Sequence, residues 1–283
     1  MNTKLTLSHS LAGTSSLVAE ISAPVIKVPE YTKENPDAEG NYYGSATGMQ
    51  GGCFNGRYYY QAFVKYCYNQ DVAYQDYHQV NNAKNIVVIV KYDVISKKIV
   101  AISEEMDNLN HINDMTYNSK IGQLVICNNI GNTQRISYLN ADNLKYAGYK
   151  DLSVNLYAIE YHASTDQYIL GISGYTTFAI ADSDFETISA QLGGTSPSGE
   201  YTKQTLCCDD TYIYCLYYGN GTYHTTDLIM VYDWDGNLVT IIEVDFDNQE
   251  PENVSVCNGA LFVATGESNN AYLYNISDVI ANE

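Results

Sequence analysis

The chain has 283 residues, of which 45% are hydrophobic, so it contains enough apolar material for a packed core. Its formal net charge of −19 and its pI near 4.4 argue against a nucleic-acid partner, because phosphate binding requires clustered Lys and Arg. The same acidity disfavours an anionic membrane surface. The amino terminus shows no apolar signal segment, and no apolar stretch is long enough to cross a bilayer.

The numbers of tyrosine and cysteine residues narrow the class of protein further. The chain has 28 Tyr against 6 Phe and 1 Trp. Tyrosine suits half-buried strands, and it also supplies rigid contact area at binding surfaces. The seven Cys are odd in number, lack a disulfide framework, and show no paired spacing for zinc. They are therefore expected to be free thiols, which predicts a reducing, cytoplasmic compartment.

The main feature of the sequence is a repeat. An apolar run, a turn rich in Asn, Asp and Gly, and a second apolar run recur about every 45 residues, a period typical of solenoids, propellers and arrays. The second runs are rich in aromatic and β-branched residues, as β-strands are. They begin at Arg57, Gln123, Gln167, Thr211 and Ala260.

Taken in chain order, the predicted elements are an outer strand within residues 12–24 and blades at 48–106, 110–152, 153–192, 201–247 and 251–278. The fifth repeat stops after its third strand. The segment 16–22 resembles the outer strands at 98–103 and 238–243, so it is expected to supply the missing one and close the ring. The sequence thus predicts one all-β domain, a five-bladed β-propeller closed by an N-terminal strand. A sixth blade would need strands from residues 1–11 and 25–47, where the pattern is weak.

The longest connections are predicted to share one rim of the ring. Strand order places the segments 25–48, 67–85, 192–203 and 219–227 on the same side. Long polar loops on a rigid scaffold commonly carry function, although they can also be tolerated insertions. The ligand-binding candidates in these loops are Tyr77, His78, Tyr223 and His224.

A ring of polar residues is predicted at the start of the inner strands, where it would surround the central channel on the long-loop rim. Its five members all carry an amide or a phenol. They are Gln50, Asn113, Tyr157, Gln204 and Asn253. Converging groups of this kind suit a neutral polar ligand, an ion or a cluster of water, and a water-filled channel is the simplest alternative.

The most distinctive local string spans residues 110–118 and includes His111, Asn113 and Asp114. Asn and Asp oxygens suit Ca²⁺ or Mg²⁺, and His suits transition metals. The same residue types near a turn also cap backbone groups. A metal site and a purely structural role are therefore both open.

This string resembles the His-x-Asn-Asp-Met-Thr-Tyr-Asn segment of uncharacterised propeller proteins from Gram-positive bacteria and their phages. The blade pattern is more loosely similar to NHL-type and gluconolactonase-type (SMP-30-like) propellers. The second resemblance implies Ca²⁺ or another divalent metal at the channel mouth, held by inner-strand residues. The positions that match are Asn113 and Asp114, with Asn155 and Glu252 as further ligands.

These observations favour a binding module over an enzyme. The expected ligand is a glycan, another small polar molecule or a partner protein, bound at the long-loop rim. One alternative is a divalent-metal-dependent hydrolase or lactonase that uses His111, Asn113, Asp114 and Glu252. Another is a structural interaction domain of a phage or bacterial assembly, which would place the chain in a virion. Few carboxylates lie near the channel, and the Gly-x-Ser-x-Gly nucleophile motif is absent from the sequence.

Overall fold

The structure is a computed structural model, and it describes residues 6–8, 16–24, 43–67, 85–130, 133–172, 178–189, 197, 201–219, 226–246, 249–267 and 269–277. These residues form five β-sheets, which are the blades of a five-bladed β-propeller. The predicted fold class is therefore confirmed. Within the same residues, no helix has both the length and the apolar character that a membrane crossing requires.

The strands follow one another in chain order, and most blades have four. Ahead of the first blade come β1 (Thr6–Ser8) and β2 (Ser16–Ser22). Blade 1 contains β3 (Tyr43–Phe54), β4 (Tyr58–Cys67), β5 (Ile86–Asp93) and β6 (Lys98–Ile102). Blade 2 contains β7 (His111–Asn118), β8 (Gln123–Ile130), β9 (Arg135–Asn140) and β10 (Tyr146–Asp151).

The remaining blades use the rest of the chain. Blade 3 contains β11 (Leu156–His162), β12 (Gln167–Ile172) and β13 (Phe178–Asp182). Blade 4 contains β14 (Thr202–Cys208), β15 (Ile213–Tyr218), β16 (Asp227–Tyr232) and β17 (Leu238–Val244). Blade 5 contains β18 (Glu250–Cys257), β19 (Ala260–Glu267) and β20 (Asn270–Asn275).

The N-terminal strand closes the ring, as predicted. The strand β2 pairs antiparallel with β20, so blade 5 has the order β18-β19-β20-β2. Its side chains Ala19 and Ile21 are buried in the same apolar cluster as Met49 and Phe63 of blade 1. The strand therefore completes blade 5 and also fills the interface with blade 1.

Two details of the strand pattern differ from the prediction. The strand β1 was not predicted, and it lies parallel to β17 with Leu7 opposite Ile242. Three residues are too short to show a period, so no sequence pattern identifies it. A fourth strand expected at 187–191 is reduced to a bridge between Ala181 and Ile188 in the part of blade 3 that the structure describes.

The core is divided among the blade interfaces. Five clusters of buried apolar side chains each join residues of two adjacent blades. Several tyrosines belong to these clusters. Tyr60 and Tyr168 are fully buried. The Tyr60 hydroxyl donates to Ala141 O at 3.1 Å, and the Tyr168 hydroxyl accepts from Asn118 Nδ2 at 2.7 Å. Part of the tyrosine excess is thus core material with a satisfied polar tip.

The cysteines behave as small apolar residues. Six are free and buried among the residues whose side chains the structure describes, namely Cys53, Cys127, Cys207, Cys208, Cys215 and Cys257. Burial raises the pKa of the Cys53 and Cys207 thiols. Thiols with raised pKa values are poor nucleophiles, so these cysteines are packing residues.

Candidate binding site at the channel mouth

The predicted polar ring lies at the inner strands, but it is buried within the protein. Its members Gln50, Asn113, Tyr157, Gln204 and Asn253 are only 1–6% exposed. His111, at the start of β7, is also buried. These residues thus lie on the inner strands or at their start, and little of their surface is open to a ligand.

Asn113 and Asp114 fasten three blades together. The Asn113 amide donates to Tyr157 O at 2.5 Å and to Gln204 O at 2.8 Å. The Asp114 carboxyl accepts from Ile159 N at 3.0 Å, and it also accepts a backbone hydrogen bond from Leu206. Asn113 thus donates to backbone carbonyl groups, and Asp114 accepts from backbone N–H groups. Together the two side chains join the inner strands of blades 2, 3 and 4.

Other short contacts complete this arrangement around the axis. The Thr116 hydroxyl accepts from Tyr161 N at 3.0 Å, joining blades 2 and 3. The Thr205 hydroxyl accepts from Val254 N at 3.0 Å, joining blades 4 and 5. A Cβ atom on Gly51 would lie 2.6 Å from the Asp114 Cα, so only glycine permits this approach of blade 1 to blade 2. The centre of the ring is thus held by hydrogen bonds within the protein.

Two of the residues implied as metal ligands by the gluconolactonase-type resemblance, Asp114 and Asn155, make hydrogen bonds within the protein. Both Asp114 oxygens accept backbone N–H groups, from Met115 at 2.9 Å and from Ile159. Asn155 is exposed, and its Oδ1 accepts from the Thr133 hydroxyl. Among the residues that the structure describes, no group of three or more His, Cys, Asp or Glu side chains is placed to hold a metal ion.

Three carboxyl groups form a separate feature at the rim, which we term the acidic mouth: Asp227, Glu250 and Glu252. Glu250 and Glu252 lie at the start of the inner strand β18, and Asp227 begins β16. Gln204 Nε2 donates to Glu250 Oε1 at 3.0 Å, and Gln50 Nε2 lies 3.4 Å from Glu252 Oε1. Two amides of the predicted ring therefore orient two carboxyls of the acidic mouth.

The carboxyls of the acidic mouth resist ionisation. Burial raises the pKa of Glu252, and the neighbouring Glu250 raises it further. Burial also raises the pKa of Glu250, partly offset by the Gln204 hydrogen bond. Burial, Asp245 and Glu250 raise the pKa of Asp227 to about 7, against a hydrogen bond from Gly219 N. A positive charge at this position would relieve this penalty.

A fourth carboxyl, Glu160, lies deeper on β11. Burial raises the pKa of Glu160 to about 8, although a hydrogen bond with Thr116 opposes the shift. Its charge raises the pKa of Cys53, Asp114 and Cys207, which belong to the inner strands of three other blades. Glu160 is thus an ionisable group close to the axis of the ring.

We expect Glu160→Gln to stabilise the protein in a pH-dependent way. The folded-state pKa lies above the unfolded value of about 4.3, so ionisation of Glu160 opposes folding increasingly as pH rises from about 4.3 to 8. Discounted for partial exposure, the gain in unfolding free energy is about 2 kcal/mol at pH 8 and near zero at pH 4.5. Urea denaturation of the parent and the variant at both pH values measures this difference in unfolding free energy. Equal gains at both pH values would show that ionisation of Glu160 is not the cause.

A shallow polar depression lies at the rim of blade 2. It has a volume of about 310 Å³ and is lined by Thr133, Gln134, Arg135, Asp151 and Leu152. Arg135 Nε donates to Asp151 Oδ1 at 2.7 Å. The Arg135 guanidinium also lies over the Tyr149 ring, 3.7 Å from its centroid. A planar cation, a carboxylate and a half-exposed ring together offer polar and stacking contacts to a small ligand.

Four predicted ligand-binding residues cannot be placed. Tyr77, His78, Tyr223 and His224 lie outside the described residues. Conversely, the prediction did not include Asp227 and Glu250, and it named Glu252 only as a metal ligand and as a residue of the metal-dependent hydrolase or lactonase alternative. The signal available in the sequence was the pair of carboxylates two residues apart in Glu250-Pro-Glu252, directly before the ring residue Asn253.

Comparisons with known proteins do not assign this chain to a family. No protein-family model matches the chain, and no curated protein matches it in sequence. Similar solved structures include Kuenenia stuttgartiensis hydrazine synthase, at 11% identity and TM-score 0.42, over 80% of this chain and 58% of that one. The Myceliophteria thermophila Cps50 (Swd1) β-propeller domain has 10% identity and TM-score 0.41, over 83% and 99%. The Neurospora crassa Pan2 WD40 domain has 8% identity and TM-score 0.43, over 93% and 95%.

Proposed function

We propose that this propeller is a recognition module that binds a partner protein at the long-loop rim, with a Lys or Arg side chain of the partner seated in the acidic mouth. The observation that supports this most directly is the adjacent pair Glu250 and Glu252. Both carboxyls are largely buried, and both have raised pKa values. A cation between them would offset the cost of burying their charges, which is the condition under which a buried ion pair is favourable.

The surroundings of the pair support binding. Gln204 and Gln50 orient the two carboxyls before a ligand arrives, and such preorganisation lowers the entropic cost of association. Tyr218 ends β15 on the same rim, and the charges of Asp227, Glu250 and Glu252 all raise its pKa. An aromatic ring beside a carboxyl pair suits both the stem and the charge of a basic side chain.

The hydrogen bonds that Asn113 and Asp114 already make within the protein favour a binding function over catalysis in the channel. Asn113 and Asp114 use their polar groups on backbone atoms of blades 3 and 4. A catalytic carboxylate needs access to a substrate and a second group on the opposite side of the reacting bond. The acidic mouth instead presents its carboxyls on one side of the axis, in blades 4 and 5.

The test is selection of peptides from a random 12-residue display library, followed by calorimetric titration of the enriched peptides. We expect enrichment of Lys or Arg at one position and a loss of affinity of about tenfold or more in Glu252→Gln and Glu250→Gln. Affinity should also rise between pH 5 and pH 8 as the carboxyls ionise, and this pH dependence should shrink in both variants.

The matched control is Asp235→Asn, because Asp235 is an exposed carboxylate in the β16–β17 turn on the opposite rim. This variant should bind as the parent does. Enriched peptides without a basic residue, or affinities unchanged in Glu252→Gln and Glu250→Gln, would rule out the acidic mouth as the binding site.

A second candidate is recognition of a glycan or another small polar ligand in the depression beside Arg135. Its support is the stacking of Arg135 on Tyr149 next to Asp151. Both sites lie on the long-loop rim by strand direction, so one partner can contact both. Binding on a glycan array that is lost in Tyr149→Ala and kept in Glu252→Gln would favour this candidate.

A further inference from the structure

The rim opposite the acidic mouth is formed by short turns, which join the first strand to the second and the third to the fourth in each blade. In blades 1 and 2 these turns span residues 55–57, 94–97, 119–122 and 141–145. Each turn carries one basic residue, and these are Arg57, Lys97, Lys120 and Lys145. The same turns carry one acidic residue, Asp142. In a chain with a net charge of −19, this part of the rim reverses the overall charge.

The turns of blades 3 and 4 on the same rim have the opposite charge. They span residues 163–166, 183–187, 209–212 and 233–237. These turns contain seven Asp or Glu residues and no Lys or Arg, and the turn of blade 5 at 258–259 carries no charge. We term the turns of blades 1 and 2 the basic half of the rim and those of blades 3 and 4 the acidic half. A surface divided in this way orients a charged partner as well as attracting it.

The basic half also exposes two large apolar side chains. Ile95 is 75% exposed and Ile121 is 51% exposed. Both are held in ordered turns, because Ile95 N donates to Asp93 Oδ1 at 3.0 Å and Ile121 N donates to Asn118 Oδ1 at 3.3 Å. The other large apolar side chains that are similarly exposed in the described part of the chain lie on outer strands. Exposed apolar groups with a polar border are typical of interaction sites.

Hydrogen bonds join the four turns of the basic half into one surface. Within blade 1, Val94 N donates to Arg57 O at 3.3 Å, and within blade 2, Ala141 N donates to Gly122 O at 3.1 Å. Between the two blades, Lys91 Nζ donates to Ala141 O at 3.0 Å. A partner would therefore meet a surface that is already ordered, which lowers the entropic cost of binding.

The basic side chains of this half differ in how far their charge is already paired. Arg57 donates to the buried Asp93, and Lys120 pairs with Asp166 of the acidic half. Lys97 and Lys145 are exposed at the surface of their turns. We expect Lys97 and Lys145 to contribute most to the attraction of an acidic partner, because the charges of Arg57 and Lys120 are partly neutralised within the protein.

We propose that the basic half is a second interaction surface, which binds an acidic segment of a partner protein that also carries an apolar side chain. Asp or Glu of the segment contacts Lys97 and Lys145, and its apolar side chain packs on Ile95 or Ile121. The acidic half repels the same segment and so confines it to blades 1 and 2. This surface lies on the rim opposite the acidic mouth and does not depend on the function proposed there. The propeller would then hold a basic partner on one rim and an acidic partner on the other.

An acidic protein segment fits the basic half better than two other anionic partners do. A nucleic-acid strand would extend from the basic half onto the acidic half, and its phosphates make no use of exposed isoleucines. The acidic half of a second copy offers the right charge, but its turns expose no large apolar side chain among the residues described. A segment that combines carboxylates with an apolar side chain matches both features.

Peptide selection on the variant Glu250→Gln/Glu252→Gln tests this surface separately, because the acidic mouth is weakened in that variant. The probe is a random 12-residue display library, and enriched peptides are titrated by fluorescence anisotropy. We expect peptides that combine Asp or Glu with an apolar residue. Their affinity should fall about tenfold when Lys97→Glu/Lys145→Glu is added and about fivefold when Ile121→Ser is added. It should also fall in 0.5 M NaCl, which screens surface charges.

The matched control is Leu238→Ser, because Leu238 is 40% exposed beside the β16–β17 turn of the acidic half. This variant should bind the peptides without loss. No enrichment, enriched peptides that lack Asp and Glu, or affinities unchanged in Lys97→Glu/Lys145→Glu would overturn the proposal. Two further results would also overturn it. One is a parental dimer in sedimentation equilibrium that Lys97→Glu/Lys145→Glu abolishes, since the occupant would then be a second copy. The other is displacement of the peptides by a single-stranded oligonucleotide.

Discussion

A variant that lacks residues 1–24 is expected to lose its cooperative thermal transition, or to lose more than about 5 kcal/mol of unfolding free energy. The deletion removes β2, six of whose seven residues pair with β20. It also exposes the apolar cluster that Ala19 and Ile21 share with blade 1. An open ring leaves the edge of β20 unpaired and one blade interface exposed. Differential scanning calorimetry measures the effect.

The control for this deletion removes less of the chain. A variant that lacks residues 1–12 loses β1 and keeps β2, so only the short parallel pairing with β17 is lost. We expect it to melt within a few degrees of the parent. A synthetic peptide of residues 12–24 should restore the transition of the longer deletion when added in trans. A longer deletion that melts like the parent would show that β2 is not needed for closure.

The second large effect is expected for Asp114→Ala, with a loss of about 3–5 kcal/mol of unfolding free energy. The Asp114 carboxyl accepts N–H groups from Met115 and Ile159, and a further one from Leu206. Alanine would leave these donors buried without partners at the centre of the ring. Chemical denaturation at constant pH measures the loss.

Asp114→Asn is the matched comparison for this substitution. It preserves the side-chain volume and one acceptor oxygen, so it should destabilise the protein less than alanine does. Thr205→Val removes a single hydrogen bond of the same kind, the one that the Thr205 hydroxyl accepts from Val254 N. We expect it to lower the unfolding free energy by about 1–2 kcal/mol. If Asp114→Ala lowered the unfolding free energy less than Thr205→Val does, the Asp114 carboxyl would not be the main hydrogen-bonding group that joins blades 2, 3 and 4.

The fold was largely predictable from the sequence because its repeat is regular. The turns between the first and second strands of the blades contain residues that tolerate positive φ, such as Gly56 and Asn258. The closing strand was predictable for the same reason, since 16–22 resembles the other outer strands. The strand β1 was not, because three residues such as Thr6–Ser8 carry no periodic signal.

The candidate site was less predictable because side-chain partners depend on how closely the blades approach. Asn113 and Asp114 lie on the inner strand β7, and both are buried. Whether they face a ligand or a neighbouring backbone depends on contacts such as Gly51 against Asp114, which no local pattern encodes. The acidic mouth also depends on tertiary packing, because Asp227 and Glu250 come from different blades and Glu252 meets Gln50 of blade 1 only when the ring is closed.

The pairing of β2 with β20 also determines when the protein can finish folding during synthesis. Ser16 lies opposite Asn275, so the ribosome makes β2 long before it makes β20. At roughly 5–20 residues per second, β2 must wait on the order of 10–50 s for its partner. During that time its apolar side chains and backbone edge remain open to chaperones and to neighbouring nascent chains. Blade 5 is therefore completed only after β20 has been synthesised, although its closing strand β2 is made much earlier.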